Sequence, residues 1–149
     1  MIIAEKTGNI LTSPAQTLVN PVNTMGAMGS GLAFHFKLAF PGLLDAYREA
    51  CRKRYFFKYG FYVYNHVPTS KKILCFPTKR DWRKPSKLIY IDEGLRRLAH
   101  DYRIYGITSL AVPALGCGLG GLQWEEVRPL LYSYLDDLPI EVTIYLPRK

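Results

Sequence analysis

The sequence predicts an α/β fold in which helices cover both faces of a sheet. Short runs rich in β-branched and aromatic residues alternate with amphipathic helical patterns along the chain. Twice, a predicted strand runs into a glycine-rich loop that leads into a helix, a common arrangement at ligand sites of α/β proteins. The length of 149 residues and the 48% share of hydrophobic residues suit one domain over residues 1–149.

Local patterns justify each element in the first half of the chain. A strand is predicted over residues 1–6, and a short β-rich run follows over 17–22. The first glycine-rich loop then leads into a helix over 32–39, which a proline ends. Residues 42–54 predict a second helix, because their apolar residues recur at steps of three and four.

The second half repeats the alternation. The clearest helical pattern covers 87–103, where apolar residues again recur at steps of three and four. A last helix starts near Trp124 and tolerates Pro129 only if that proline lies close to the first turn. Compact aromatic or apolar runs predict further strands over 61–65, 72–77, 109–114 and 141–146.

The basic residues are unevenly distributed. The chain carries 20 Lys and Arg against 12 Asp and Glu, a formal net charge of +8. Residues 48–100 hold 14 of the bases and 4 of the acids, so the whole positive excess lies in this segment. Such a distribution is typical either of a solvated basic face or of a surface that binds phosphate-bearing partners.

Composition argues against several other classes. No apolar run approaches the roughly 20 residues that a membrane helix needs, and the N-terminus lacks a signal-peptide core. The three cysteines and three histidines show neither disulfide nor metal-site spacing. We therefore expect a cytoplasmic monomer without membrane association, metal or disulfide bonds.

Two glycine-rich loops, over 25–31 and 116–121, are the most informative pattern. Glycine permits positive φ angles and close approach of the backbone to a ligand, so successive N–H groups can form an anion nest beside a helix N-terminus. Two such loops could straddle a pyrophosphate, or each could be a tight structural turn. A Rossmann fold is excluded because only 28 residues follow Gly121, and neither loop continues into the G-K-[ST] of a P-loop.

Polar residues beside these loops are candidate ligands. Asn9, Asn20 and Asn23 could bind ribose hydroxyls, since an amide both donates and accepts hydrogen bonds, or they could cap local turns. Lys79 lies in the basic loop that is predicted to follow the strand over 72–77. An amine at that sheet edge could attack a sugar carbon as a nucleophile, or it could belong to a solvated loop.

Taken together, these motifs resemble a macrodomain, an ADP-ribose-binding fold, over nearly the whole chain. The resemblance rests on the Gly8-Asn9-Ile10 run and on segments 18–33, 34–41, 76–80 and 113–124. It is specifically to the DarG branch, the DNA ADP-ribosyl glycohydrolase antitoxins that are paired with DarT toxins. The resemblance implies a three-layer α/β/α macrodomain with a mixed sheet of about six strands.

The resemblance also implies an activity: removal of ADP-ribose from a thymine base of single-stranded DNA, without a cofactor and with ADP-ribose as ligand and product. The implied partners are ADP-ribosylated DNA and a DarT-type toxin. Lys79 matches the family's catalytic lysine, and Asn23 would hold the distal ribose in catalysis. The implied ADP-ribose contacts are Gly8, Asn9, Ile10, Asn20, Gly29, Gly31, Leu32, Thr78, Pro113, Leu115, Gly116, Cys117, Gly118, Leu119, Gly120 and Gly121, and the expected DNA contacts are Arg80, Trp82, Arg83, Lys84 and Lys87.

One position departs from a related branch. Terminal ADP-ribose glycohydrolase macrodomains pair the lysine with an aspartate in the second loop, and Gly120 stands at the matching position here, as is general in the DarG branch. A lysine–aspartate mechanism therefore cannot be carried over whole, and the nearby carboxylate of Asp81 has no assigned role. Two alternatives stay open: an ADP-ribose reader without turnover, and a glycohydrolase that acts on ADP-ribosylated protein.

Overall fold

Strands and helices alternate through residues 1–147, the part of the chain that the computed structural model describes. Two short 3-10 helices, Ile10–Thr12 and Val67–Thr69, lie between them. The strands are β1 (Ile2–Lys6), β2 (Thr17–Asn23), β3 (Tyr62–His66), β4 (Lys71–Lys79), β5 (Ser109–Pro113) and β6 (Glu141–Tyr145), and the helices are α1 (Gly31–Ala39), α2 (Leu43–Arg52), α3 (Tyr55–Tyr59), α4 (Leu88–Asp101) and α5 (Trp124–Leu135).

The six strands of residues 1–147 join one sheet in the order β1-β6-β5-β2-β4-β3. Every neighbouring pair is parallel except β3 with β4, which is antiparallel. With helices on both faces, this mixed sheet confirms the predicted three-layer α/β/α architecture. Because five of the strands run in the same direction, their carboxyl ends meet at one edge of the sheet, where α/β proteins bind ligands.

A separate hydrophobic core lies on each side of the sheet. On one side, α4 and α5 pack against strand residues that include Val19 and Leu74. On the other side, α1, α2 and α3 pack against the alternate positions, among them Leu18 and Ile73. Because β2 and β4 are covered on both faces, every residue of the two strands is buried or half-buried, and burial does not alternate along them.

Gly94 lets α4 approach the sheet closely. A Cβ at this position would lie 2.3 Å from Cζ of Phe76, a fully buried residue of β4. The ring of Phe76 and a side chain at position 94 therefore cannot both occupy their present places. Glycine costs about 1 kcal/mol in a helix interior relative to alanine, and close packing of the helix on the strand offsets that cost.

β2 and β5 separate toward their carboxyl ends. Their register pairs Thr17 with Leu110 and Leu18 with Ala111, and within the described residues the pairing stops there. From β2 the chain continues toward β3 and β4 on one side of the sheet, and from β5 it continues through α5 to β6 on the other side. This reversal of direction opens the crevice in which open α/β sheets bind their ligands.

Two boundary predictions are wrong. The helix predicted over 42–54 ends at Arg52, because Arg54 adopts a left-handed φ of 58° and a separate helix, α3, follows it. The strand predicted over 72–77 continues to Lys79, so this lysine belongs to the sheet and not to the loop beyond it.

Pro129 also lies elsewhere than expected. It is the sixth residue of α5 and not part of the first turn. The helix tolerates it because Pro129 is exposed, and so is Glu125, whose carbonyl loses its helical partner. Among the described residues, no helix has the length and apolar character needed to cross a membrane.

Candidate active site

A cavity of about 1090 Å³ opens at the carboxyl ends of the parallel strands, a size typical of the largest small-molecule sites. Its walls come from the ends of β2, β4, β5 and β6 and from both glycine-rich loops. The predicted site residues that line it are Gly8, Asn9, Ile10, Asn23, Gly29, Gly31, Leu32, Thr78, Lys79, Trp82, Arg83, Pro113, Gly116, Cys117, Gly118, Leu119 and Gly120.

The two glycine-rich loops face each other across this cavity. Gly31 begins α1 with a φ of 62°, and Gly116 in the second loop has a φ of 76°. Both conformations are strained for any residue other than glycine. A Cβ at Gly31 would lie only 3.3 Å from Cδ1 of Leu119, so the first loop approaches the second closely at this point.

Both loops present backbone donors to the cavity. The Ser30 side chain does not cap α1, and within residues 1–147 the N–H groups of Gly31, Leu32 and Ala33 donate to no backbone oxygen, so they are available to a ligand. In the second loop, the N–H groups of Gly118, Leu119 and Gly120 donate to no backbone oxygen within residues 1–147. Donors arranged in this way, beside a helix N-terminus, form the kind of site that binds phosphate oxygens.

A β-bulge brings Lys79 beside Asn23. The register between β2 and β4 pairs Val22 with Pro77 and then Asn23 with Lys79, so Thr78 is an extra residue in β4. Bulges bend a strand and change the direction of its side chains, and they are frequent next to active sites. Lys79 thus ends β4 directly opposite the end of β2, and both Lys79 and Asn23 line the cavity.

The charged residues of the cavity wall are cationic. Lys79 and Arg83 line it, whereas no Asp or Glu of the described chain does. The hydrogen-bond acceptor nearest the amine of Lys79 is the backbone oxygen of Trp82 at 3.4 Å, and Lys79 forms no salt bridge within residues 1–147. An amine that forms no such salt bridge, in a cavity that is also lined by loops with free N–H groups, favours a phosphate-bearing ligand.

Asp81 is engaged by Arg83 and does not enter the cavity. Its Oδ1 accepts from the backbone N of Arg83 at 2.9 Å and from Nε at 3.0 Å, and its Oδ2 accepts from Nη2 at 2.9 Å. These hydrogen bonds lower the pKa of Asp81 to about 2. A carboxylate with that pKa, lying outside the lining, does not supply a general base at the site.

Asn23 holds the first glycine-rich loop in place. Its Oδ1 accepts hydrogen bonds from the N–H groups of Met25, Gly26 and Ala27 at 2.9, 3.2 and 3.3 Å. Its Nδ2 donates to the backbone oxygen of Ala27 at 2.9 Å. One hydrogen of Nδ2 remains for a ligand, so Asn23 can donate to a ribose hydroxyl but has no oxygen lone pair left to accept from one.

The other two asparagines differ from each other. Asn9 caps the 3-10 helix through a 3.0 Å hydrogen bond from Leu11 N to its Oδ1, and it also lines the cavity. Asn20 is fully buried in β2, with its Nδ2 4.0 Å from Sγ of Cys75 and its Oδ1 without a partner in the described chain. The structure therefore does not place Asn20 at the site, because its side chain points into the core on the α1 side of the sheet.

Ser86 occupies the space beside Gly120. A Cβ at position 120 would lie 2.3 Å from Oγ of Ser86 and 2.5 Å from the backbone oxygen of Gly116. The backbone N of Ser86 also donates to the oxygen of Gly120 at 3.0 Å. The aspartate that a related branch carries at this position has no space here, which gives a steric reason for the glycine.

Cys117 is not a second nucleophile for the site. Burial raises the pKa of its thiol to about 11, so the thiol stays protonated and weakly nucleophilic at neutral pH. Residues 1–147 contain no group of three or more His, Cys, Asp or Glu side chains that could hold a metal ion.

Some predicted contacts lie outside the cavity lining. Leu115 is fully buried in the core, and Gly121 follows the lining part of the second loop. Lys84 and Lys87 are exposed beyond the rim. Arg80 lines a second, smaller cavity on the other side of Lys79.

Several residues that line the cavity were not predicted from the sequence. Tyr145 is the last residue of β6 and pairs with Pro113 of β5, so the strand order, once known, brings it to the same sheet edge. His35 lies on α1 four residues after Gly31, on the same face, which helical spacing could have indicated. The remaining members are Pro21, Val22, Ala27, Ser30, Ala33, Ala114, Leu146 and Pro147.

Comparison with known proteins agrees with this geometry. The family model described as Macro domain matches residues 19–131. A DNA ADP-ribosyl glycohydrolase of Thermus aquaticus is 41% identical over 143 residues, which cover 94% of this chain and 40% of that protein. The chain thus spans well under half the length of that curated relative.

Two solved structures extend the likeness. The macrodomain of Mycobacterium tuberculosis DarG has a TM-score of 0.91 at 43% identity, covering 99% of each chain. DarTG of Thermosipho africanus in complex with ADP-ribose has a TM-score of 0.88 at 43% identity, covering 94% of this chain and 40% of that one. The chain therefore belongs to the macrodomain family, and its likeness to a DarG macrodomain over almost all of both chains makes it a macrodomain of the DarG type.

Proposed function

We propose that the protein is an ADP-ribosyl glycohydrolase that removes ADP-ribose from thymine bases of single-stranded DNA. The observation that carries this proposal is the pairing of Asn23 with Lys79 at the bulge, in the wall of a cavity flanked by two donor-rich loops. The similar Thermus aquaticus protein, a DNA ADP-ribosyl glycohydrolase, supports the activity. The similar Thermosipho africanus structure, which contains ADP-ribose, supports the ligand.

The cavity suggests how ADP-ribose lies in it. The free N–H groups of Gly118, Leu119 and Gly120, with the N-terminus of α1, suit the diphosphate. The proposed position of the distal ribose is between Asn23 and Lys79, where the free hydrogen of Asn23 Nδ2 would donate to a ribose hydroxyl. The adenosine end extends toward the turn around Asn9.

Lys79 is the nucleophile in the proposed reaction. After the ammonium group has given up one proton to solvent, its amine attacks C1″ of the distal ribose, the bond between C1″ and the thymine nitrogen breaks, and the base leaves with a second proton from the amine. Water then cleaves the new carbon–nitrogen bond, which releases ADP-ribose and restores the amine. The cavity wall offers no carboxylate partner for the lysine within the described residues, so the chemistry does not follow a lysine–aspartate scheme.

The same proposal names the biological partners. Its substrate, ADP-ribosylated DNA, must be produced by a DNA ADP-ribosyl transferase, so a DarT-type toxin is the expected partner. We propose that the protein acts as a monomer in the cytoplasm, where DNA is the accessible substrate.

A comparison of substrates tests the function. The protein is incubated with an oligonucleotide carrying one ADP-ribosylated thymine and, separately, with a mono-ADP-ribosylated protein, and the mass of each is measured. We expect the oligonucleotide to lose the mass of one ADP-ribosyl group and the protein to keep it. Loss from the protein alone would favour a protein-directed glycohydrolase, and ADP-ribose binding without any mass loss would favour a reader.

A further inference from the structure

A second cavity, of about 300 Å³, adjoins the first one. It lies between α3, α4 and the end of β4, and of the described residues Lys79 is the one that lines both cavities. Its volume is at the lower end of the range for small-ligand sites. A group held there would therefore lie on the other side of Lys79 from a ligand in the first cavity.

The second cavity is strongly basic. Arg80, Arg96 and Arg97 line it together with Lys79, against the single carboxylate of Glu93. None of these three arginines takes part in a salt bridge within residues 1–147. Arginines without counter-ions present planar donor groups that suit phosphate oxygens.

Aromatic rings accompany these arginines. The guanidinium of Arg80 lies 4.9 Å from the ring centroid of Tyr90 and 6.0 Å from that of Phe57. Phe57 is 52% exposed, although it is a large apolar side chain. Proteins that bind single-stranded nucleic acids combine a basic groove for the backbone with aromatic side chains on which bases stack.

The backbone connects this cavity firmly to the active site. Thr24, just after β2, donates to the backbone oxygen of Arg80 from both its N, at 3.3 Å, and its Oγ1, at 3.0 Å. Arg80 directly follows Lys79, which the bulge holds opposite Asn23. The position of the basic and aromatic cluster is therefore set relative to the lysine.

We propose that the second cavity binds the nucleotide that neighbours the modified thymidine in a single DNA strand. The phosphate lies against Arg80 and Arg96, and the base stacks on Phe57 or Tyr90. This inference rests on the proposed function, because the neighbouring nucleotide enters this cavity when the ADP-ribosylated thymidine occupies the first. The proposal gives the basic segment over residues 48–100 a specific role. Arg80 would contact DNA inside the second cavity and not at the rim of the first.

Binding of an unmodified, fluorescently labelled ten-residue oligo(dT) tests the proposal without depending on turnover. Arg80→Gln and Tyr90→Leu are compared with wild type by fluorescence anisotropy over a range of salt concentrations. Arg103→Gln is the matched control, because Arg103 also lies over a tyrosine ring, 5.5 Å from that of Tyr102, but lines neither cavity. Both test variants should bind at least about fivefold more weakly, and Arg80→Gln should reduce the slope of log affinity against log salt by about 0.7.

The proposal is overturned if both test variants bind oligo(dT) as Arg103→Gln does, or if a poly-glutamate peptide competes as well as oligo(dT).

A second measurement separates this inference from the proposed function. The ratio of kcat/KM on an ADP-ribosylated oligonucleotide to kcat/KM on ADP-ribosylated thymidine should fall for Arg80→Gln but not for Arg103→Gln. If wild type releases ADP-ribose from neither substrate while oligo(dT) binding still depends on Arg80, the glycohydrolase function fails and the nucleotide site stands.

Discussion

The hydroxyl of Tyr47 lies 2.6 Å from the backbone oxygen of Asn23 and 2.9 Å from its side-chain oxygen. Tyr47 is fully buried in α2, so the helix layer beneath the cavity helps to set the orientation of the Asn23 amide. Burial raises the pKa of the Tyr47 phenol far above its ordinary value. The hydroxyl therefore stays protonated and remains a donor at neutral pH, and Asn23 keeps one Nδ2 hydrogen free for a ligand.

Replacing Tyr47 with Phe should destabilise the protein and loosen the first loop. The change removes the donor to both oxygens of Asn23, and leaving buried acceptors less well satisfied costs about 1–3 kcal/mol. Denaturant unfolding measures the loss. Tyr62→Phe is the matched control, because the Tyr62 hydroxyl makes no hydrogen bond within residues 1–147. Equal effects of the two substitutions would contradict a special role for the Tyr47 hydroxyl.

A side chain at Gly120 should damage the second loop. The Cβ would overlap Ser86 Oγ and the backbone oxygen of Gly116, and overpacking of this kind costs about 1–3 kcal/mol. Gly118→Ala is the control, because nothing lies within 4 Å of a Cβ at position 118. We expect Gly120→Ala to lower the unfolding free energy clearly more than Gly118→Ala, with partial recovery in the double variant Gly120→Ala, Ser86→Gly. If Gly120→Asp were as stable as wild type, the steric explanation for the glycine would fail.

Gly94→Ala should destabilise the protein even though alanine is the better helix former. Alanine gains about 1 kcal/mol of helix propensity over glycine, but its Cβ would lie 2.3 Å from the Phe76 ring. We expect a net loss of about 1–3 kcal/mol in unfolding free energy. In a double-mutant cycle with Phe76→Leu, the two losses should not add, since the smaller side chain makes space for the methyl group. Simple additivity would show that the two residues do not interact.

The ion pair between Asp81 and Arg83 should give a pH-dependent contribution to stability. The pKa of Asp81 is about 2 in the folded protein, below its ordinary value of 3.8. A lowered folded-state pKa means that the contribution is complete above about pH 4 and is lost as the pH falls toward 2. Carbon NMR titration of the Asp81 carboxyl group measures the pKa directly. In Arg83→Gln it should move back toward the ordinary value, and an unchanged titration in that variant would contradict the assignment to Arg83.

The sequence is most informative about this fold where local pattern and tertiary packing agree. The apolar stripe over 87–103 marks α4, and the run over 109–114 marks β5, because both elements bury the residues that the pattern selects. The break between α2 and α3 was not predictable in this way. It depends on a left-handed conformation at Arg54, which a residue other than glycine seldom adopts.

At the site, the sequence does not predict the direction in which each side chain points. Asn20 and Asn23 belong to one short segment, yet Asn20 lies in the core and Asn23 lines the cavity. The difference arises from position along β2 and from the register shift opposite Thr78, which no local pattern reveals. Lys79 was recognisable as a candidate, but only the bulge explains how it comes to lie beside Asn23.

We expect Lys79 to carry out the chemistry while the loops bind ADP-ribose. The direct test follows release of ADP-ribose from an ADP-ribosylated thymidine oligonucleotide by mass spectrometry, and ADP-ribose binding by calorimetry, for wild type and Lys79→Ala. Lys53→Ala is the control, an exposed lysine at the end of α2 that lines neither cavity. We predict that Lys79→Ala slows release by at least about 100-fold and changes ADP-ribose affinity by less than about threefold. Full turnover by Lys79→Ala would show that Lys79 is not the nucleophile.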